Sequence, residues 1–191
     1  MRKQTRIWRV LAVACLLSGM PVLAASTDPV LQVNTFIGTQ EEGNTFPGAS
    51  APFGMIQVSP ITEHYAGYRY DDTRIRGFGH SFVSGAGCWE QGGLVATLPV
   101  TGRIGPGGAF DTSDAKAKPF DYKTYAAAYT HAGEVGQAGY YKVRLTDYNG
   151  IEVETTALTR AAAERYTFAA SEKTGHVLVN VGQANEKHEV V

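Results

Sequence analysis

The residues best suited to chemistry lie in one glycine-rich stretch, GHSFVSGAGCWEQGG, at residues 79–93. His80, Cys88, Trp89 and Glu90 supply an imidazole, a thiol, an indole and a carboxylate close together. Glycine at this density opposes a helix or regular strand and predicts a loop whose backbone bends sharply or approaches a ligand. Indole faces stack on the C–H surfaces of sugars, and a carboxylate accepts hydrogen bonds from hydroxyls. The stretch is therefore a candidate binding or catalytic loop, in which the indole and the carboxylate are the groups best suited to contact a ligand.

Each of these side chains also has a structural interpretation. His80 can be a hydrogen-bonded framework residue, and Trp89 can pack at the edge of a domain junction. A papain-type thiol protease carries C-G-S-C-W at the start of a helix with its His far downstream. Here His80 precedes Cys88 and two glycines follow, so that chemistry is disfavoured. Cys88 is expected to be a small buried residue of the pocket wall.

The spacing of the carboxylates elsewhere in the chain does not identify two that could act together as the acid and base of a hydrolase. Inverting glycoside hydrolysis needs two carboxyl groups roughly 6.5–9.5 Å apart. Asp71 and Asp72 are adjacent, so on a strand they would point to opposite faces. One of them is expected to pair with Arg69, Arg74 or Arg76 and fix a loop. No catalytic residue and no metal ligand is assigned within this chain.

Two further segments, FIGT at residues 36–39 and NTFPGASAPFG at residues 44–54, flank a predicted turn. The backbone from Phe36 to Gly38 is a candidate wall of a ligand pocket, with the Phe36 ring facing either the ligand or the core. Phe46 and Phe53 are predicted to be core residues.

The first 24 residues predict an export signal. Four basic residues precede an apolar run too short for a roughly 20-residue membrane span, and small residues lead to a cleavage point after Ala24. Those residues hold four of the 17 basic and none of the 18 acidic residues, so the remainder carries a net charge of about −5. This charge disfavours nucleic acid or an anionic membrane as a partner. Cys88 is then the sole thiol, so no intrachain disulfide is expected. The predicted location is periplasmic or extracellular.

The dominant hydrophobic period is two, which predicts strands. Alternating residues and the Asn149-Gly150 turn predict a hairpin across residues 140–158. Strands are also predicted within residues 31–38, 53–60, 92–100, 161–170 and 174–182, the second of them ending at Pro60. Residues 123–134 are the one weak candidate for a helix. Residues 102–118 predict a long loop. Many short strands with polar turns indicate an all-β, antiparallel β-sandwich over residues 25–191.

Four ordered blocks resemble the amino-terminal region of glycoside hydrolase family 92. They are VNTFIGT at residues 33–39, NTFPGASAPFGMIQVSP at residues 44–60, GYRYDDTRIRGFGHSFVSGAGC at residues 67–88 and GYYKVRLTDYNGIEVETTALTRAAAERYTF at residues 139–168. The resemblance implies the β-sandwich half of a calcium-dependent, inverting exo-α-mannosidase. It further implies a missing carboxyl-terminal (α/α)₆ barrel that supplies the acid, the base and most calcium ligands.

By this resemblance, the chain completes an active site for mannose-containing glycans and is inactive alone. A stand-alone carbohydrate-binding module and a purely structural sandwich are the alternatives. The family has an element similar to the segment around His80 that leads into its active-site loop. Many members carry a small residue and then Asp where this chain has Trp89 and Glu90, a difference that concerns linkage preference.

Overall fold

The computed structural model describes residues 28–82, 93–105 and 122–181. The chain divides into two compact units, residues 1–32 and 33–191. In the described part of the first unit, Pro29–Gln32 form a 3₁₀ turn, and Asp28 Oδ1 accepts a hydrogen bond from the Val30 amide at 3.0 Å. The predicted export signal lies outside the described residues.

Eleven strands are described, all in the second unit. They are β1 (Ala49–Ser50), β2 (Gln57–Ile61), β3 (Arg74–Ile75), β4 (Gly77–Gly79), β5 (Ala96–Thr101), β6 (Ala127–Ala128), β7 (Val135–Gln137), β8 (Tyr140–Arg144), β9 (Glu152–Ala157), β10 (Ala162–Thr167) and β11 (Gly175–Asn180). Tyr122–Thr124 form a second 3₁₀ turn. Among the described residues, no helix is long and apolar enough to cross a membrane.

All strand pairings are antiparallel and build three sheets. A five-stranded sheet has the order β1-β2-β4-β5-β11, a four-stranded sheet has the order β10-β9-β8-β7, and β3 pairs with β6. β1 and β2 pack against β9 of the second sheet. The predicted all-β sandwich is confirmed.

The β8–β9 hairpin shows how residue alternation fixes the core. Val143 lies opposite Val153 and Tyr141 opposite Thr155, and all four are buried, while Lys142 between them is partly exposed. The connection is longer than a two-residue turn, because the Leu145 amide bonds to the Ile151 carbonyl at 2.9 Å.

The main core forms where the sheets face each other. Its fully buried members include Val58, Phe78 and Val100 from the first sheet and Tyr141, Val143 and Val153 from the second. Strong apolar burial between two layers supplies the main stabilisation of such a domain. A smaller cluster joins Ile61, Phe82 and Ala96, with Phe46 packed against it as expected.

Several local predictions are wrong. Residues 31–38 form turns rather than a strand, because side chains of the segment bond to its own backbone. Pro60 lies within β2 rather than ending it. Proline has no amide hydrogen to donate, but β1 pairs only with Gln57 and Val58 of β2, so no hydrogen bond from residue 60 to β1 is required. Residues 123–134 contain the end of a 3₁₀ turn and β6 instead of a helix. Phe53 is fully exposed, and its φ of 54° turns it away from the core.

Candidate functional site

A compact turn at residues 34–41 carries the two predicted site residues Phe36 and Gly38. The Asn34 side chain accepts a hydrogen bond from the Phe36 amide at 3.0 Å, and the Thr39 hydroxyl donates to the Phe36 carbonyl at 2.8 Å. Gly38 has a φ of 79°, and a Cβ there would lie 2.9 Å from Thr45 Cγ2. Only glycine fits this position without strain, so local chemistry fixes the turn.

Two neighbouring cavities open beside this turn. The first, here called the Gly38 cavity, has a volume of about 640 Å³ and is lined by Phe36, Ile37, Gly38, Gln40, Glu41 and Asp71. The second, the His131 cavity, has a volume of about 420 Å³ and is lined by Asn34, Phe36, Thr39, Gln40, Tyr70, His131 and Glu134. Phe36 and Gln40 border both cavities. An aromatic ring beside amide and carboxylate groups has the chemistry that a sugar needs.

Glu134 is the electrostatic centre of the His131 cavity wall. Its side chain is 1% exposed and accepts hydrogen bonds from the Tyr68 hydroxyl at 2.9 Å, the Tyr141 hydroxyl at 2.6 Å and His131 Nδ1. Burial, and then the Glu134 charge, raise the pKa of both tyrosines well above the usual value, so both stay protonated donors. The buried carboxylate is therefore well supplied with donors.

A row of rings connects Glu134 with Phe36. The His131 ring stacks on Tyr70 with centroids 3.8 Å apart and planes 8° apart. Tyr70 in turn meets Phe36 edge to face at 5.8 Å, and its amide donates to the Thr39 carbonyl at 2.8 Å. The turn and the His131 wall thus form one packed unit.

The structure places His80 in a different environment. Nδ1 of His80 lies 2.6 Å from the Val95 carbonyl, and Nε2 lies 3.1 Å from Glu164 Oε1. His80 lines neither the Gly38 cavity nor the His131 cavity. Its contact with Glu164, opposed by burial, raises the pKa of His80.

Cys88, Trp89 and Glu90 lie outside the described residues. The positions that flank them are close to each other, since the Gly93 amide donates to the Ser81 carbonyl at 2.7 Å. Phe82 borders a third cavity of about 440 Å³ that also contacts Asn34, Thr35 and Ile37 of the turn. Phe82, the last described residue before them, therefore lies near the turn that carries Phe36.

The acidic pair near the Gly38 cavity is held by neighbours. Asp71 lies 3.8 Å from Arg69, in line with the expected ion pair, and Asp72 accepts hydrogen bonds from the Thr62 hydroxyl and the Glu63 amide. Within the described ranges, no three His, Cys, Asp or Glu side chains lie close enough to hold a metal ion. These described residues therefore do not form a calcium centre among themselves.

The fold and these cavities define a β-sandwich domain with an open, aromatic-lined polar site. Residues 32–191 match the Glycosyl hydrolase family 92 N-terminal domain, and the chain belongs to this family.

Solved structures and a fungal sequence show the same relationship. The GH92 family glycosyl hydrolase ccman5 is 29% identical with a TM-score of 0.68, over 83% of this chain and 21% of that one. The family GH92 alpha-mannosidase BT3965 from Bacteroides thetaiotaomicron, in complex with mannoimidazole, is 32% identical with a TM-score of 0.61, over 73% and 18%. An uncharacterized secreted glycosidase of Arthroderma benhamiae is 28% identical, over 74% and 17%. The chain spans about a fifth of the length of these relatives.

Tyr70, His131 and Glu134 were missed by sequence reasoning. His131 and Glu134 are three residues apart, and Tyr129 lies two residues before His131; this spacing is the signal that could have drawn attention to them. The pattern predicts part of a weak helix, whereas a turn brings the two side chains together.

Proposed function

We propose that this chain is the amino-terminal, sugar-contacting domain of an inverting exo-α-mannosidase that acts on α-mannosides of glycans. The observation that carries the proposal is the turn at residues 34–41, which sets the Phe36 ring and the Gly38 backbone beside polar groups in an open cavity. The similar mannosidase in complex with mannoimidazole supports a mannoside as the ligand.

The described carboxylates next to the turn do not suit acid–base catalysis. Glu134 is buried and occupied by three donors, and Asp71 is drawn toward Arg69. We propose that the general acid, the general base and the calcium ligands belong to a helical barrel domain outside this chain. On this view the sandwich spans residues 25–191 and supplies one side of the active site.

Cys88, Trp89 and Glu90 extend this proposal. We infer that the loop that begins after Phe82 forms the part of the wall that meets the sugar beyond the cleaved bond. His80 contributes by fixing the start of that loop through Glu164.

Titration calorimetry with methyl α-mannoside and α-mannobiose tests the proposal. We expect millimolar binding by the purified chain and a loss of about fivefold or more for Phe36→Ala, because a ring face against a sugar contributes roughly 1 kcal/mol. Leu158→Ala, at a side chain that is 72% exposed and lines none of the three cavities, is the control. Absence of any binding at 50 mM mannoside would leave only a structural role, whereas micromolar binding by the chain alone would favour a stand-alone binding module.

We further propose that the protein is exported to the periplasm or beyond. The secreted fungal relative supports this location. Amino-terminal sequencing of the protein recovered from its native host is expected to begin at Ala25. Recovery of the intact amino terminus from the cytoplasm would contradict the export proposal.

A further inference from the structure

His131 lines the cavity that it shares with Phe36, and among the described residues only one of its two ring nitrogens has a partner. Its side chain is 33% exposed and lines the cavity, while Nδ1 contacts the Glu134 carboxylate. No described residue bonds to Nε2. The imidazole therefore has one buried end and one end that a ligand can reach.

The hydrogen-bond network determines which nitrogen carries the proton. Oε1 of Glu134 already accepts from the Tyr68 and Tyr141 hydroxyls, and an ionised carboxylate only accepts hydrogen bonds. His131 must then donate from Nδ1. In the neutral ring this leaves Nε2 with its lone pair free to accept a hydrogen bond.

Ring packing holds that lone pair in place. Tyr70 lies parallel to one face of His131 at 3.8 Å, and Tyr129 meets the ring at 5.4 Å with an angle of 84°. Because Nδ1 is also fixed by Glu134, the imidazole cannot swing freely. A preorganised acceptor loses little entropy when a ligand binds.

We propose that Nε2 of His131 accepts a hydrogen bond from a hydroxyl of the bound hexose while Phe36 covers an adjacent C–H face. His131 is then a specificity-determining residue, and Glu134 is the positioning residue that sets its tautomer. The ligand class is a hexoside with free ring hydroxyls, such as an α-mannoside. This inference rests on the proposed function, because it uses the same turn and ring.

Nitrogen-15 NMR of the histidine ring in the full chain tests the inference directly. At a pH where the His131 ring is neutral, the free protein is expected to show the Nδ1–H tautomer, and the Nε2 signal is expected to shift when methyl α-mannoside is added. If the Phe36 ring signals shift and those of His131 do not, this inference fails and the proposed function stands. If neither group responds at saturating sugar, both fail. An Nε2–H tautomer in the free protein overturns the inference by itself.

Substitution adds a readout that a merely structural role would not change. His131→Phe keeps a ring on Tyr70 and removes the Nε2 acceptor together with the Nδ1 donor to Glu134, and His176→Phe on β11 is the control. We expect His131→Phe to weaken methyl α-mannoside binding by about three- to tenfold, the effect of one hydrogen bond. Wild-type protein should also bind one monodeoxy analogue of methyl α-mannoside, the one that lacks the hydroxyl bonded to Nε2, more weakly than methyl α-mannoside by the same factor. His131→Phe should bind the two sugars equally. Equal discrimination by both proteins would overturn the inference.

Discussion

Nε2 of His80 lies 3.1 Å from Oε1 of Glu164, and this contact links the end of β4 in one sheet to β10 in the other. The Thr97 hydroxyl, from β5, donates to Oε2 of the same carboxylate at 2.7 Å, and the Tyr166 hydroxyl also donates to it. Glu164 is 10% exposed, so the pair is largely shielded from water. The two layers of the sandwich are thus joined by a polar contact as well as by apolar packing.

The pKa shifts of this pair predict a pH optimum for stability. The contact with Glu164 raises the pKa of His80 above 6.5, so its stabilisation is complete below that pH and is lost as pH rises through the folded-state pKa. Burial alone would raise the pKa of Glu164. The contact with His80 and the hydrogen bonds from Tyr166 and Thr97 outweigh burial and lower this pKa below 4.5. The carboxylate therefore stabilises above 4.5 and loses this effect as pH falls through its folded value.

Glu164→Gln is expected to lower the free energy of unfolding by about 1–3 kcal/mol near pH 6, and by less as pH rises through the raised folded-state pKa of His80. Thermal unfolding followed by circular dichroism from pH 5 to 8 measures this. Glu63→Gln removes an exposed carboxylate and is the control. A stability difference between Glu164→Gln and wild type that stays constant across this range would show that the pair does not titrate as argued.

Glu134→Ala is expected to destabilise the domain by about 3 kcal/mol, because it leaves the Tyr68 and Tyr141 hydroxyls buried without their acceptor. Urea unfolding measures the loss. Glu152→Ala, which removes only a half-exposed pair at 3.8 Å from Lys142, should stay within about 0.5 kcal/mol. Equal losses for the two variants would contradict the central role given to the buried carboxylate.

Residue alternation was enough to predict the sandwich and its hairpin, because period two directly sets which side chains of β8 and β9 face the core. It failed at residues 31–38, where the Asn34 side chain bonds to the local backbone and outweighs a loose alternation. It also failed for Phe53, since apolar character alone does not reveal a positive φ.

The candidate site was only partly predictable for a related reason. Phe36 and Gly38 could be identified because they share one short turn. Tyr70, His131 and Glu134 come from distant segments, and the stacking of His131 on Tyr70 exists only in the folded chain. His80 has a partner, Glu164, that lies on another sheet and that no local spacing reveals.

Gly136→Ala is expected to displace the Phe36 turn. A Cβ at residue 136, on β7, would lie 2.2 Å from Thr35 Oγ1 and 2.9 Å from the Phe36 ring. The turn must shift to avoid this overlap, which should lower the free energy of unfolding by about 1–3 kcal/mol and also weaken mannoside binding. Gly139→Asn is the control, because it has open space and a φ of 76° that Asn tolerates. Calorimetric binding and thermal unfolding that both match wild type would show that the turn is not packed on β7 in this way.

The purified chain is expected not to hydrolyse α-mannobiose, with or without added calcium. Inverting hydrolysis needs one carboxyl group to protonate the leaving oxygen and a second, roughly 6.5–9.5 Å away, to activate water. Beside the proposed sugar cavities, Glu134 is fully engaged by three donors and Asp71 is drawn toward Arg69, which leaves Glu41 without a suitable partner. Release of mannose, followed by chromatography over a day at high protein concentration, provides the measurement, with a Glu41→Gln variant as control for adventitious activity. If wild type releases mannose and Glu41→Gln does not, a catalytic carboxylate lies inside this domain. If neither protein releases mannose, the result agrees with catalytic groups that lie on another domain.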